Sequence, residues 1–194
     1  SSSTSLLQDT ANGTSIQFAG METLRGAENY ADNFVISDGL EAQPVILAGD
    51  GDAIDTIDYS LLISRSITVT LGDAGLTGFE SVIGNNTHTL AGADENSTWE
   101  LTLDGGSVAW GTQKTGFSGF GYWVGGSGDD IFNLQTLGSL APVGIDGGGG
   151  SDELDLSALA NEVHISLGDA SGNLDLGNIE ILSAFILEDY TRLK

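Results

Sequence analysis

The feature that most constrains the fold of this chain is an internal duplication. A short phrase of Gly, an apolar residue, Glu, any residue and a second apolar residue occurs at 20–24 and again at 78–82. Looser copies lie at 119–123, where the Glu is missing, and at 178–182, where the Gly is missing. Long and short spacings alternate between these copies, which gives a repeating unit of about 95–99 residues. We therefore divide the chain into a first repeat (1–91), a second repeat (92–184) and a tail (185–194) that acts as a cap or an interface.

Within each repeat, strict alternation of apolar and polar residues indicates β-strands. The segment ITVTL (67–71) and its counterpart VHISL (163–167) place apolar side chains on one face only, as half-buried strands do. Residues 99–103 and 131–134 show the same pattern, and Gly, Asp and Asn turns separate these segments. The pattern predicts an all-β chain. Because repeated strands bury their inner faces by stacking coil on coil, we expect a right-handed parallel β-solenoid (β-helix or β-roll), with a β-sandwich as the alternative.

The net charge of the chain restricts the kinds of molecule that it can bind. The chain has 28 acidic and 5 basic residues, a formal net charge of −23. Such a field repels nucleic acid and anionic lipid and attracts divalent cations. No apolar run reaches the ~18 residues of a membrane helix, and the absence of cysteine excludes a disulfide framework and a thiolate zinc site. We expect no nucleic-acid partner and no membrane insertion.

Two Gly-rich loops carry the clearest chemistry. Residues 125–133 (GGSGDDIFN) and 147–155 (GGGGSDELD) both fit G-G-x-G-x-D-x-U-x, the nonapeptide of calcium-binding β-rolls. Glycines permit the tight turn, while carboxylates and carbonyls supply the hard oxygens that calcium prefers. One loop offers too few oxygens, so calcium ligands normally come from two stacked turns. Tandem copies of this motif are nine residues apart, whereas these loops are 22 residues apart, a length that fits one solenoid coil and would then bring them into neighbouring rows. The alternative is plain turn chemistry, because Asp and Gly dominate turns without any metal.

The expected calcium ligands are all Asp residues in or beside these loops. In the second repeat they lie in the two nonapeptides or flank the later one. The loops at 26–32 and 49–55 of the first repeat keep only parts of the pattern and supply weaker candidates. The complete set is Asp129, Asp130, Asp146, Asp152 and Asp155, together with Asp32, Asp50, Asp52 and Asp55.

At these loops the chain resembles the RTX-like, haemolysin-type calcium-binding repeats of large bacterial secreted and surface proteins. The order STW (97–99), FSG (117–119), GGSGDDIF (125–132), IDGGGG (145–150), LDLS (154–157) and NIE (178–180) is similar to a long adhesin-type repeat. The resemblance spans nearly all of 92–184 and, more weakly, 3–84. It implies an extracellular, non-catalytic scaffold of the cell surface, stabilised by Ca²⁺, whose partners are other copies of itself or neighbouring repeats of a larger protein.

Aromatic residues suggest a second function. Trp110, Phe117, Phe120, Tyr122 and Trp123 cluster in the second repeat. Phe120 and Trp123 occupy the apolar positions of the repeated phrase and are expected in the core, which leaves Trp110 and Tyr122 as candidates for stacking against a sugar. The alternative function is therefore a carbohydrate-binding or lyase-like accessory domain that uses these two aromatics and bound calcium to hold an acidic polysaccharide of the cell surface or matrix.

Catalysis is not expected. The sequence lacks G-x-S-x-G, H-E-x-x-H and a P-loop, the motifs that would indicate hydrolysis or phosphate chemistry. A carboxylate pair for glycoside hydrolysis would be invisible among so many acids, and a lyase would have only Arg25, Arg65 and Lys114 as cations away from the C-terminus. The histidines, His88 and His164, occupy non-equivalent positions and are not predicted to be ligands or bases.

Overall fold

The prediction of an all-β chain is confirmed. The computed structural model describes residues 5–9, 14–18, 22–39, 45–49, 51–102, 104–136, 144–159, 175–177 and 181–183, and no helix occurs among them. The counterpart strand at 163–167, His164 and the tail at 185–194 lie outside these residues. The strands are β1 (Ser5–Asp9), β2 (Thr14–Phe18), β3 (Thr23–Arg25), β4 (Asn33–Ser37), β5 (Val45–Leu47), β6 (Thr56–Leu61), β7 (Thr68–Thr70), β8 (Leu76–Thr77), β9 (Ser81–Ile83), β10 (Thr89–Ala91), β11 (Ser97–Thr102), β12 (Gly105–Trp110), β13 (Gln113–Ser118), β14 (Tyr122–Val124), β15 (Ile131–Leu134), β16 (Gly144–Asp146), β17 (Glu153–Asp155), β18 (Asp175–Gly177) and β19 (Ile181–Ser183).

These strands form four sheets, and within the described ranges none of the sheets closes on itself. The largest has nine strands in the order β19-β17-β15-β11-β12-β13-β9-β6-β4. A second has the order β18-β16-β14-β10-β7, and a third has the order β3-β5-β8. The hairpin β1–β2 is the only antiparallel two-stranded sheet of the described chain, and β1 lies beside β4.

Along most of the chain, consecutive strands alternate between the nine-stranded sheet and one of the two smaller parallel sheets. Neighbouring strands within a sheet are parallel, so equivalent residues of successive rows stand side by side. In the nine-stranded sheet Trp99, Phe132 and Leu154 form one such row of partners and are all fully buried. In the five-stranded sheet Leu90, Trp123 and Ile145 form another. Both rows belong to one hydrophobic core.

The sequence landmarks occupy matching places in this arrangement. Phe120 and Trp123, the apolar positions of one phrase, are buried, which confirms their predicted core role, and Phe79 and Val82 of the preceding phrase are buried as well. A second match is a turn: the Asp58 carboxylate accepts the Ser60 N–H at 2.7 Å, and in the later repeat the Asp155 carboxylate accepts the Ser157 N–H at 2.8 Å. The predicted strands at 67–71, 99–103 and 131–134 correspond to β7, β11 and β15.

One segment interrupts the parallel pattern. Strand β12 pairs antiparallel with both β11 and β13, so these three strands form a meander inside the nine-stranded sheet. Two residues connect β12 to β13, and the first of them, Gly111, has a φ of 52°. That left-handed conformation is readily adopted by glycine in a tight hairpin turn. On either side of the meander the sheet is parallel again, through β13–β9 and β11–β15.

Candidate functional site

The two nonapeptide loops lie in neighbouring rows, as the spacing of 22 residues predicted. Strand β15 follows the first loop and pairs in parallel with β17, which follows the second. The loops themselves are linked by main-chain hydrogen bonds, from Gly125 N to Asp146 O at 2.8 Å and from Gly149 N to Gly126 O at 3.0 Å. The glycines matter here because these backbones approach closely: a side chain on Gly148, whose φ is 93°, would collide with the carbonyl of Gly126.

Asp130, the aspartate at the sixth position of the first nonapeptide, is completely buried. Its Oδ2 accepts the Gly126 N–H at 2.8 Å, which closes its own loop. Its Oδ1 accepts the Ser97 N–H at 2.8 Å and the Ser97 hydroxyl, which ties the loop to β11. A buried carboxylate is tolerated only when such donors replace water. The three donors therefore make Asp130 a link between its own turn and the adjacent row.

The same link continues into the next row. The main-chain N–H of Asp130 donates to Oδ1 of Asp152 at 2.8 Å, and Asp152 is also fully buried. On the exposed side of the loops, Oδ1 of Asp129 accepts the Ser151 N–H at 2.9 Å, while the Asp129 N–H donates to the Asn96 side chain. The two loops are thus joined through the inner Asp152 of the second loop and the outer Asp129 of the first.

The first repeat has an equivalent set of contacts. The Asp32 N–H donates to Oδ1 of Asp55 at 2.8 Å, and the Asp55 N–H donates to Oε2 of Glu80 at 2.9 Å. Asp32 also closes its own turn by accepting the Ala27 N–H at 2.6 Å. Each of these acids immediately precedes a strand of the nine-stranded sheet. We call the five acids in this position the carboxylate ladder; its members are Asp32, Asp55, Glu80, Asp130 and Asp152.

Two members of this network were missed by the sequence analysis. Glu80 belongs to the repeated phrase rather than to a Gly-rich loop, and Ser97 begins β11, one residue before the Thr98–Ile131 pair. The signal for Glu80 was present, because its phrase recurs, but the phrase was interpreted only as evidence of duplication. Ser97 was noted only as part of the STW segment (97–99), which gives no indication of its contact with Asp130.

The remaining predicted ligands are placed separately from the ladder. Asp146 and Asp155 are half-buried, and each accepts a main-chain N–H two residues further on, from Gly148 at 3.1 Å and from Ser157 at 2.8 Å. Such contacts are typical of Asx turns. Asp52 is exposed in its loop, and Asp50 lies outside the described residues.

The donor chemistry of these loops suits calcium, since carboxylates and glycine carbonyls are its usual ligands. Across the side chains that the structure describes, however, no group of three or more His, Asp or Glu residues converges closely enough to hold a metal ion. The ladder carboxylates instead accept main-chain N–H groups. Calcium binding would use carbonyls and the outer acids of adjacent loops, or would exchange some of these hydrogen bonds.

The two candidate sugar-binding aromatics lie on different sheets. Trp110 ends β12 of the nine-stranded sheet, is half-buried and packs against the core. Tyr122 begins β14 of the five-stranded sheet and stands opposite Gly144, where a side chain would collide with the Tyr122 ring. The two residues therefore do not form one stacking platform.

His88 is a core residue with both ring nitrogens engaged. It is fully buried, its Nδ1 accepts the Ile67 N–H at 3.3 Å, and its Nε2 faces the Tyr59 carbonyl at 3.3 Å. This pairing assigns the proton of the neutral ring to Nε2. Burial lowers the pKa of His88 below its usual 6.5, with the Tyr59 carbonyl opposing that shift.

A lowered histidine pKa predicts a loss of stability in mild acid. Below about pH 6.5 His88 becomes protonated in the unfolded chain but stays neutral in the folded chain, because its pKa is lower there. The free energy of unfolding therefore falls as the pH drops. Urea unfolding between pH 8 and 5.5 should show this decline in the native chain and a smaller one in His88→Gln, which cannot titrate. Parallel pH dependences in the two proteins would contradict the assignment.

Comparison with protein-family models, curated proteins and solved structures found no match to this chain. The resemblance to RTX-like repeats therefore stays a prediction from the residues of the loops. Among the described residues, no helix is long and apolar enough to cross a membrane.

Proposed function

We propose that this chain is a non-catalytic, extracellular structural or adhesive module, built as a right-handed parallel β-solenoid and stabilised by calcium. The observation that carries the proposal is the stacking of the two nonapeptide loops in adjacent rows, joined through Asp129, Asp130 and Asp152. A module of this kind functions by presenting and joining rigid rows of strands rather than by converting a substrate.

The pairing pattern favours a solenoid over a sandwich. Sandwiches are built mainly from antiparallel strands with Greek-key connections, whereas the described rows here are parallel outside the meander and the β1–β2 hairpin. Rows 22 or 23 residues apart also exchange equivalent contacts, as between Asp130 and Asp152 and between Asp32 and Asp55. Parallel connections between strands of one sheet are almost always right-handed, which supports the proposed hand.

Electrostatics favours a cation as the stabilising partner. Folding brings 23 net negative charges into a compact volume, and their mutual repulsion opposes the folded state. Divalent ions bound at the stacked loops would offset this repulsion. Ligands that come together only in the folded chain convert binding energy into folding energy, so calcium would act as a structural component.

The ends of the sheets favour association with further copies or neighbouring repeats. Strands β18 and β19 are the terminal strands of their sheets among the described residues, and β4 ends the nine-stranded sheet on the other side, next to β1. A terminal strand offers main-chain groups on which another strand can add, and repeat modules commonly join end to end. This supports a role as one segment of a longer surface filament.

Calcium should raise the melting temperature, and excess chelator should lower it. At a free concentration 100 times its Kd, one ion that binds only the folded chain adds about 2.7 kcal/mol, equivalent to about 5–10 °C for a chain of this length. Differential scanning calorimetry in calcium, in magnesium and in chelator measures the effect. Magnesium should substitute poorly, because it demands a tight octahedral ligand set.

Alanine variants distinguish calcium binding at the loops from a general effect of removing one negative charge. Asp130→Ala and Asp152→Ala should each weaken the calcium response, whereas Asp9→Ala, outside any Gly-rich loop, should keep it. Identical melting curves in calcium and in chelator would reduce the loops to plain turns, and the metal assignment of Asp32, Asp50, Asp52, Asp55, Asp129, Asp130, Asp146, Asp152 and Asp155 would then be withdrawn.

A further inference from the structure

A cleft lies between β8, the segment that follows β7, and strands β9, β12 and β13 of the nine-stranded sheet. Strand β8 is the last strand of the three-stranded sheet, and β7 is the last strand of the five-stranded sheet. The cleft, which we call the seam cleft, has a volume of about 430 Å³, within the range of about 300–1,000 Å³ that is typical of small-molecule sites. Its lining includes Trp110, Gln113, Glu80, Leu71, Leu76 and Gly72.

The seam cleft has an apolar floor and one aromatic wall. Leu71 and Leu76 are buried members of the core. Trp110 packs against the same core but keeps part of its indole accessible, and its Nε1 lies near Gly72. An indole that packs against the core and also lines a cleft is suited to stacking against the C–H face of a sugar ring.

Polar groups stand next to this aromatic wall. Gln113 is the direct antiparallel partner of Trp110, so the two side chains emerge from the same face of the sheet at close spacing. Glu80 is exposed, and its Oε2 is fixed by the Asp55 N–H at 2.9 Å. An amide and a carboxylate that line the same cleft as an aromatic ring provide the donors and acceptors that sugar hydroxyls need.

The charges argue for an uncharged ligand. None of the described residues that line the seam cleft is basic, and Glu80 contributes a negative charge. The field of a chain with a net charge of −23 also repels anions. A uronate or sulfated glycan would therefore be disfavoured in the seam cleft, whereas a neutral one would not be.

We propose that the seam cleft binds a neutral glycan, with a pyranose ring stacked on Trp110 and its hydroxyls hydrogen-bonded to Gln113 and Glu80. The ligand class differs from the acidic polysaccharide that a calcium-bridged surface would hold. The site goes beyond the scaffold role and does not depend on calcium, so glycan binding in chelator and the calcium dependence of melting report on the two proposals separately.

Isothermal titration calorimetry in chelator tests the proposal. The probes are neutral hexasaccharides of β-1,4-glucose, α-1,4-glucose, β-1,4-mannose and β-1,4-xylose, with hexagalacturonate as the charged comparison. We expect at least one neutral probe to bind and hexagalacturonate to bind more weakly than that probe. Trp110→Ala should reduce the affinity at least tenfold, Trp110→Phe by less, and Gln113→Ala by about threefold to tenfold, as expected for one lost hydrogen bond.

Two controls keep the result interpretable. Tyr30→Ala removes an aromatic ring that is 72% exposed and lies outside the cleft, so it should leave the affinity unchanged. Gln113 is exposed, so Gln113→Ala should fold even if Trp110→Ala does not. The proposal is overturned if no neutral probe binds, if hexagalacturonate binds more tightly than every neutral probe, or if folded Trp110 and Gln113 variants bind as well as the native chain.

Discussion

Replacing Trp99 by alanine is expected to lower the free energy of unfolding by about 3–5 kcal/mol, the usual cost of truncating a buried tryptophan. Trp99 is completely buried on β11, stacked on Phe132 of the next row with ring centroids 5.3 Å apart. It also meets Phe117 of β13 edge-on at 5.6 Å, and its Nε1 donates to the Ser97 hydroxyl at 2.7 Å. Its loss would open a cavity between the meander and the first parallel row beyond it.

Urea unfolding followed by circular dichroism measures this effect. Trp99→Phe, which keeps a ring but loses the hydrogen bond to Ser97, should be intermediate. Tyr30→Ala is the matched surface control and should change the free energy of unfolding by no more than about 0.5 kcal/mol. If Trp99→Ala and Tyr30→Ala have equal effects, the packing assigned to β11, β13 and β15 is incorrect.

The second large effect is expected at Asp130, measured in chelator so that no metal contributes. Alanine at this position would leave the buried N–H and hydroxyl of Ser97 and the half-buried N–H of Gly126 without their carboxylate acceptor. Buried donors that lose their partners cost about 1–3 kcal/mol each, so Asp130→Ala should lower the free energy of unfolding by about 2–5 kcal/mol.

The neighbouring residue is the control for this prediction. Asp129 has the same charge and lies in the same loop, but it is exposed, so Asp129→Ala should lower the free energy of unfolding by less than about 1 kcal/mol. Asp130→Asn retains one acceptor oxygen and should fall between the two alanine variants. Equal effects of Asp129→Ala and Asp130→Ala would show that the ladder contact does not stabilise the fold.

Much of the fold could be predicted because its strands obey simple periodicity. The alternating segments around Val69, Trp99 and Phe132 became β7, β11 and β15 with those side chains buried. The meander was not predicted, because β12 and β13 contain glycines at 105, 106 and 116 and lack a clean apolar alternation. Their strand conformation is set by pairing with neighbours, which a single-sequence pattern does not report.

The sequence predicted most of the residues of the candidate site but not the hydrogen bonds that join them. The Gly-rich loops and their spacing identified Asp130 and Asp152 and their adjacency. What the sequence did not indicate is that the inner carboxylates accept main-chain N–H groups of the preceding row, since register is a property of the folded sheet. Glu80 and Ser97 enter the network for the same reason, through the positions they share with Asp55 and Asp130.

The nine-stranded sheet combines strand pairs that are close in sequence, within the meander, with strand pairs that are far apart in sequence. Two residues separate β11 from β12, and two separate β12 from β13, so closing these loops costs little chain entropy. The parallel rows on either side join residues that are 22 or more positions apart, as Asp152 is from Asp130, and such distant pairings form slowly. The meander can therefore assemble locally, and its two outer strands then provide the edges on which the long-range rows of both repeats are added.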